Sequence, residues 1–331
     1  MTATTVRWAI AGTGGIADSF TRDLALVPGA EVVAVGSRST DTAAAFAATH
    51  GIARAHGSYE ALAADDEVDV VYVASPHTSH LAHTLLFLRA GRHVLCEKPL
   101  GLSAGEVQQM IDAARAADRF LLEAIWSRFL PAYGELRALL AQGVIGEPRM
   151  VEAEFGFVMG FDPAHRLFDP KLGGGATLDL GIYPIQLGHL VFGAPDEVVA
   201  TGHLGSTGVD EHVAAVLRHP GGGITVAKAS LTTSLRCGAT ISGTLGTIEL
   251  PPFMHRPTSL VVRNLDGVRT IEAPIEGVGL HHEALEVQRC LAAEERESPL
   301  LTNAESLAIA GTLDSVRAAL GVRYPGEFSG E

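Results

Sequence analysis

The sequence predicts an α/β fold. An N-terminal Rossmann-type, doubly wound parallel sheet is followed by an α+β domain built on a large open, mostly antiparallel sheet. Three observations carry this. The first hundred residues alternate short apolar runs with helical stretches. A glycine turn, Gly12-Thr13-Gly14-Gly15-Ile16-Ala17, stands between the first run and the first helix. After Gly146 the pattern changes to alternating strands joined by glycine-rich turns.

Taken in order, "VRWAIA" is a strand from Val6 to Ala11. The turn after it reads G-x-G-x-x-A. Gly12 permits the tight turn, Gly14 lets the backbone approach a pyrophosphate, and Ala17 lets the helix pack closely on the strand. The helix start at about Gly15 offers free N–H groups and a positive dipole end to phosphates. Gly12, Thr13, Gly14, Gly15 and Ile16 are therefore the expected dinucleotide contacts. The second strand, "AEVVAVGSRS", ends in Ser37-Arg38-Ser39 where an NAD site would carry an acid. A guanidinium between hydroxyls suits a 2′-phosphate, so NADP is favoured over NAD.

A helix from about Asp41 to His50 and a short helix lead to a strand from Val68 to Ala74. Ser75-Pro76-His77 closes that strand on the cofactor edge, and a helix follows to about Ala90. His77, His80 and His83 sit three residues apart, but no cysteine or carboxylate completes a metal site. No metal is expected. Cofactor-side hydrogen bonding by His77 and His80 is the better reading, with His83 at the surface. The strand "HVLC" then runs into Glu97-Lys98-Pro99. Proline ends the strand, so an acid and a base stand at the carboxyl edge of the sheet, where such folds bind ligands.

From Leu121 a strand, a polar-aromatic turn and a helix lead into the second half. There the strand-like segments are broken by one helical block, "GGGATLDLGIYPIQLGHL". Gly173 to Gly175 make a flexible entry. Asp179 and Tyr183, four apart, share a helix face that Gln186 continues. A carboxylate can orient a tyrosine hydroxyl, and a nearby lysine eases its proton transfer. Pro184 should kink the helix just past Tyr183. Two helices, around 282–293 and 304–320, close the chain.

Length and composition bound the function. The 331 residues suggest two domains, 1–122 for the dinucleotide and 123–331 for substrate and oligomerisation, with the C-terminal helix able to pack back on the first. A hydrophobic fraction of 47% is ample for two cores. The formal charge of −14 argues against a nucleic-acid partner. No apolar run approaches the ~20 residues of a membrane span. The N-terminus lacks the pattern of a secretory signal, and three scattered cysteines form neither a disulfide framework nor a metal cluster. A cytoplasmic enzyme of small molecules is the expected class.

Together, "GTGGIA", "EKP" at 97–99 and "GGGATLDLGIYP" at 173–184 resemble the glucose–fructose oxidoreductase / inositol dehydrogenase (Gfo/Idh/MocA) superfamily. "EAIWSRFLP" and "RLFDPKLGGGATLDLGIYPI" are most similar to its dihydrodiol dehydrogenase / NADP-dependent D-xylose dehydrogenase branch. The resemblance implies a Rossmann domain and an open-sheet domain that mediates a homodimer or homotetramer. It places Lys98 beside the nicotinamide and the reacting oxygen. It makes Tyr183 the proton donor or acceptor, supported by Asp179, and Glu97 a positioning residue. It sets Trp126 and Arg128 on the nicotinamide side, and Phe157 and Arg166 at the substrate. Inositol-type members carry histidine where this chain has Tyr183, which disfavours an inositol. The expected reaction is hydride transfer between NADP and a hydroxyl or carbonyl carbon of a sugar or cyclic diol. A biosynthetic ketosugar reductase is the alternative. A non-catalytic dinucleotide sensor fits less well, because Lys98, Asp179 and Tyr183 are all present.

Overall fold

The computed structural model describes residues 5–325. Its first part holds β1 (Val6–Ala11), α1 (Gly15–Leu24), β2 (Ala30–Gly36), α2 (Thr40–His50), β3 (Arg54–His56), α3 (Tyr59–Ala63), β4 (Val70–Val73), α4 (His80–Arg89), β5 (His93–Glu97), α5 (Ala104–Ala117) and β6 (Leu121–Ala124). Then follow α6 (Pro131–Ala141), β7 (Pro148–Gly156), α7 (Ile182–Phe192), β8 (Glu197–Leu204), β9 (Asp210–Arg218), β10 (Ile224–Ser230), β11 (Ala239–Gly243), β12 (Gly246–Leu250), β13 (Ser259–Asn264) and β14 (Gly267–Glu272). Helices α8 (His281–Ala292) and α9 (Asn303–Leu320) come last. They form two compact units. The first runs to Gly101, resumes at Gly105–Phe129 and returns at Glu276–Ser306. The second takes Leu102–Ala104, Leu130–Ile275 and the chain from Leu307 on.

The first unit is a six-stranded parallel sheet in the order β3-β2-β1-β4-β5-β6. Strands covered on both faces read as unbroken apolar runs. Accordingly Trp8 to Ala11 and Val70 to Val73 have no exposed surface. Strand order reverses between β1 and β4, which creates the crevice where such sheets take ligands. The returning segment is fastened by an acid from α1. The Asp23 carboxylate accepts from the backbone N–H groups of Val278 (3.0 Å), Gly279 (2.7 Å) and Leu280 (2.9 Å), at the start of α8. A side-chain cap of this kind is worth about 1 kcal/mol.

The second unit is an eight-stranded sheet in the order β14-β13-β12-β11-β7-β10-β9-β8. All its neighbours are antiparallel except β7 and β10, which run parallel. The long excursion between those two strands carries α7 across one face, where Gly188 lies so close to Thr225 that a Cβ would overlap it. The other face is open. Along β9 buried and exposed residues alternate, as a half-covered antiparallel strand requires. "RCGATISGTLGTIEL" folds as a hairpin of β11 and β12.

Candidate active site

The glycine turn follows β1 directly. Gly12 has φ +123°, and a Cβ there would stand 2.7 Å from the Ala74 carbonyl oxygen. Both facts demand glycine. At Gly14 and Gly15 a Cβ would meet nothing within 4 Å, so open space lies above the start of α1. No side chain caps that start. Its leading N–H groups lack intrahelical partners and stand available to an anion. These residues fit the pyrophosphate of a dinucleotide.

The remaining positions of this edge also follow strand ends. Ser37 is buried after β2, and Arg38 beside it is exposed, with no ion pair among the described residues. Ser75 is buried after β4 and Pro76 exposed, with His77 half-buried. At the end of β5, Glu97 is 7% exposed. Its Oε1 accepts the Tyr72 hydroxyl, and its Oε2 accepts the Lys98 backbone N–H at 3.2 Å. Tyr72 in turn stacks on Phe20 of α1, ring centres 3.7 Å apart. A continuous set of contacts thus ties the helix of the glycine turn to the backbone of Lys98. Glu123, at the end of β6, accepts the Leu100 N–H at 2.9 Å and steadies the same loop from below. Burial pushes its carboxyl up to about 7. Burial and the neighbouring Glu97 also push Glu283 of α8 well above the usual carboxylate range.

Three expectations change here. His80 has no exposed surface, and its ring nitrogens face the carbonyl oxygens of Pro99 (2.8 Å) and Ser75 (2.9 Å). It fastens the Lys98-Pro99 loop to the end of β4 rather than reaching a cofactor. Burial lowers its pKa to about 4, so the ring is neutral near pH 7 and can donate to one carbonyl only. His83 is half-buried rather than on the surface. It bonds Ser75 Oγ at 2.9 Å and packs on Tyr59 at 4.1 Å. Arg128 is 1% exposed and paired with Glu305 at 2.6 Å, in a turn where Trp126 is also buried. An arginine so enclosed holds the turn together.

In the second unit Asp179 and Tyr183 lie in consecutive pieces of helix. Thr177–Gly181 is a π-helical turn, and α7 begins at Ile182. Pro184 falls in the first turn of α7, where a missing N–H costs nothing, so the helix runs on past it. The irregularity expected after Tyr183 appears before it, as the π turn. Such turns are frequent at functional sites. The glycine run is not a flexible entry either. Gly173 (φ +76°) and Gly175 (φ +120°) hold left-handed turns, and a Cβ at Gly174 would strike the Leu167 carbonyl oxygen.

Buried Asp210 anchors the π turn. Its Oδ2 accepts both the N–H and the hydroxyl of Thr177, each at 2.6 Å. Asp179 is 6% exposed, and its Oδ1 accepts from Arg166 Nη1 at 2.9 Å. Arg166 itself is 55% exposed, so this pair opens toward solvent on one side. Tyr183 is 6% exposed and meets Phe155 edge-on at 5.5 Å. Phe155 reaches Phe157 at 6.3 Å, which joins Phe157 to the same cluster.

His255 escaped the sequence reading. Its ring stacks on Phe155 at 4.4 Å and lies 5.4 Å from the Tyr183 ring. Gln186 places it indirectly. Gln186 Nε2 donates to the Tyr133 hydroxyl (3.2 Å), which donates to the carbonyl of Met254 (3.1 Å). A lone histidine in the irregular stretch "PPFMHRP" carries no periodic or spacing signal that could have found it.

A glycine turn at the switch point of a doubly wound sheet, joined to a second domain that buries an acid and a tyrosine, defines a nicotinamide-dinucleotide oxidoreductase. Residues 6–124 match the oxidoreductase family with an NAD-binding Rossmann fold, and residues 133–249 match the GFO/IDH/MocA C-terminal domain. The chain belongs to this family. Trans-1,2-dihydrobenzene-1,2-diol dehydrogenase of Danio rerio is 42% identical over 329 residues, covering 96% of this chain and 98% of that protein. The Bos taurus protein of the same name is 40% identical, covering 97% and 98%. Among solved structures, a 3-ketoreductase from Actinomadura kijaniata in complex with NADP and TDP-benzene superposes with TM-score 0.84 at 26% identity, covering 96% and 98%. A levoglucosan dehydrogenase shares the fold at TM-score 0.87 and 19% identity, covering 96% and 98%. The chain is an NAD(P)-dependent dehydrogenase acting on CH–OH groups. No helix among the described residues is long and apolar enough to cross a membrane.

Proposed function

We propose that the chain oxidises a cyclic trans-diol or a sugar with NADP, or reduces the matching carbonyl with NADPH. The observation behind this reading is the 42% identity, over nearly the whole chain, to a trans-1,2-dihydrobenzene-1,2-diol dehydrogenase. When bound, the nicotinamide accepts or supplies the hydride. Lys98, delivered by the end of β5, neutralises charge developing on the substrate oxygen. Tyr183 takes or returns the hydroxyl proton. Asp179 and Arg166 orient the substrate, with Phe157 as an apolar wall. The ketosugar-reductase alternative draws on the A. kijaniata 3-ketoreductase and differs in direction and substrate.

For the cofactor, the support is Arg38, exposed after β2 and without an ion pair among the described residues. Arg38→Ala should weaken NADP by roughly 10- to 100-fold, the value of a charge-assisted contact, and leave NAD almost unchanged. Equilibrium titration with both dinucleotides measures this. Equal affinity of the parent protein for NAD and NADP would defeat the assignment. A panel of trans-dihydrodiols, aldoses, cyclitols and dicarbonyls, followed by absorbance of the reduced cofactor, tests the substrate class. Oxidation of neither diols nor aldoses would remove the reading.

The open face of the second sheet also asks for a cover. Val199 and Val216 pair directly across β8 and β9 and are 60% and 44% exposed. A second copy of the chain, in a dimer or tetramer, would bury this apolar row. Light scattering at micromolar concentration should report a mass above the monomer's. The three cysteines are buried free thiols, which suits the reducing cytoplasm.

A further inference from the structure

The amino edge of the six-stranded sheet holds a cleft of about 550 Å³, within the range of small-ligand sites. It lies about 20 Å, one strand length, from the glycine turn. Four arginines line it: Arg7 from β1, Arg92 before β5, Arg119 before β6, and Arg296 after α8. Two are neutralised. Arg7 forms a double hydrogen bond with Asp69, and Arg296 forms one with Asp118. Arg92 and Arg119 have no carboxylate partner among the described residues. They bond only backbone carbonyls, those of Val68, Gly91 and Asp118.

Several donors there remain uncommitted. Arg92 Nε is buried and has no hydrogen-bond partner among the described residues, so no carboxylate or carbonyl draws on that side of its guanidinium. Arg119 Nη2 lies over Gly91 and makes no hydrogen bond among the described residues. His93 adds no charge of its own to this field. Burial, Arg119 and Arg296 hold it neutral, with its pKa down at about 4. The acids at longer range, Asp66 and Glu67 near Arg7 and Glu294 near Arg296, act only through space.

We propose that this cleft is a binding site for a small phosphorylated anion, held by Arg92 and Arg119 and distinct from the dinucleotide site. Guanidinium forks match phosphate oxygens in geometry as well as charge. The volume admits more than a single phosphate group. A ligand here would tie together the starts of β1, β4, β5 and β6.

The test uses the full-length protein saturated with its dinucleotide, so that the glycine turn is already filled. Inorganic phosphate and pyrophosphate are titrated, with melting temperature and calorimetry as readouts. The expected result is saturable binding, tighter for pyrophosphate. Arg92→Gln and Arg119→Gln each keep a donor for the backbone carbonyls while removing the charge, and each should weaken binding roughly tenfold. Tighter binding of a phosphorylated sugar than of pyrophosphate would mark the ligand as a metabolite rather than free phosphate. No saturable binding, or binding unchanged in both variants, overturns the proposal. Should the variants fail to fold, hydrogen exchange on the parent protein decides. Pyrophosphate should protect amides at 91–93 and 119–121, whereas protection at 12–17 alone would refute the site.

Discussion

The functional edge of the first unit and the helical site of the second are held in place by different means. Gly12, Ser37 and Ser75 each follow a parallel strand within two residues, and Glu97 is the last member of one, so the sheet itself sets their spacing. Gly12 is specified by its own backbone angle and by one carbonyl oxygen. Tyr183 depends instead on buried side chains distant in sequence. Asp210 holds Thr177 from 33 residues away, and Tyr133 links Gln186 to the loop of His255 from 53 residues before Gln186. A site made of backbone tolerates exchange of its neighbours, since the ladder remains. A site made of buried polar side chains loses geometry with each partner removed.

The largest test of this contrast is Tyr183→Phe. The ring keeps its packing on Phe155 and His255, so folding and dinucleotide binding should survive. Turnover should drop by roughly 10²–10⁴, the usual span for general acid–base catalysis. Lys98→Met should lower it too, and the double variant should lose less than the product of both effects, because groups acting as a unit are not additive. Near-parent turnover of Tyr183→Phe in steady-state assays would move the proton route elsewhere, with His255 the first residue to examine.

Glu123 can break the contrast, because it is a buried side chain supporting the backbone-built edge. Its carboxyl titrates at about 7 when folded, against an ordinary value of 4.5. The folded state therefore holds the proton more tightly than the unfolded one. The associated stability is fully present below pH 4.5 and is lost as the pH rises through about 7. The difference is worth up to about 3 kcal/mol. Glu123→Gln, which cannot ionise, should gain on the parent protein in denaturant melts as pH rises from 5 to 8. A pH-independent difference would mean that ionisation of Glu123 does not act on this edge.

The smallest effect sharpens the other side. Asp210→Asn keeps an acceptor for Thr177 but gives up a charge-assisted bond, and it also relieves a buried carboxyl whose pKa burial has raised to about 6. The net loss should be about 1 kcal/mol in thermal unfolding. The π turn should loosen with it, seen as faster exchange of the amides at 177–181.

Much of this was legible before the structure. The strand β1, the glycine turn and the strand end at Glu97 are local patterns, read from apolar runs and from the chemistry of glycine and proline. The roles of His80 and Arg128 were not, because a buried polar residue and a ligand-binding one look alike in sequence. Only the carbonyls of Ser75 and Pro99 and the carboxylate of Glu305 separate them.

By itself, the sequence determined the class of both domains, the dinucleotide turn, and the residue types at the candidate site, since each rests on short-range periodicity or on an intrinsic backbone preference. The tertiary structure alone decided the parallel pairing of β7 with β10, the π turn before Tyr183, the return of α8 to Asp23, and the arginine-lined cleft. These depend on contacts between residues tens to hundreds of positions apart. Loop closure over such distances is settled by the packing of the whole chain, and no local pattern records it.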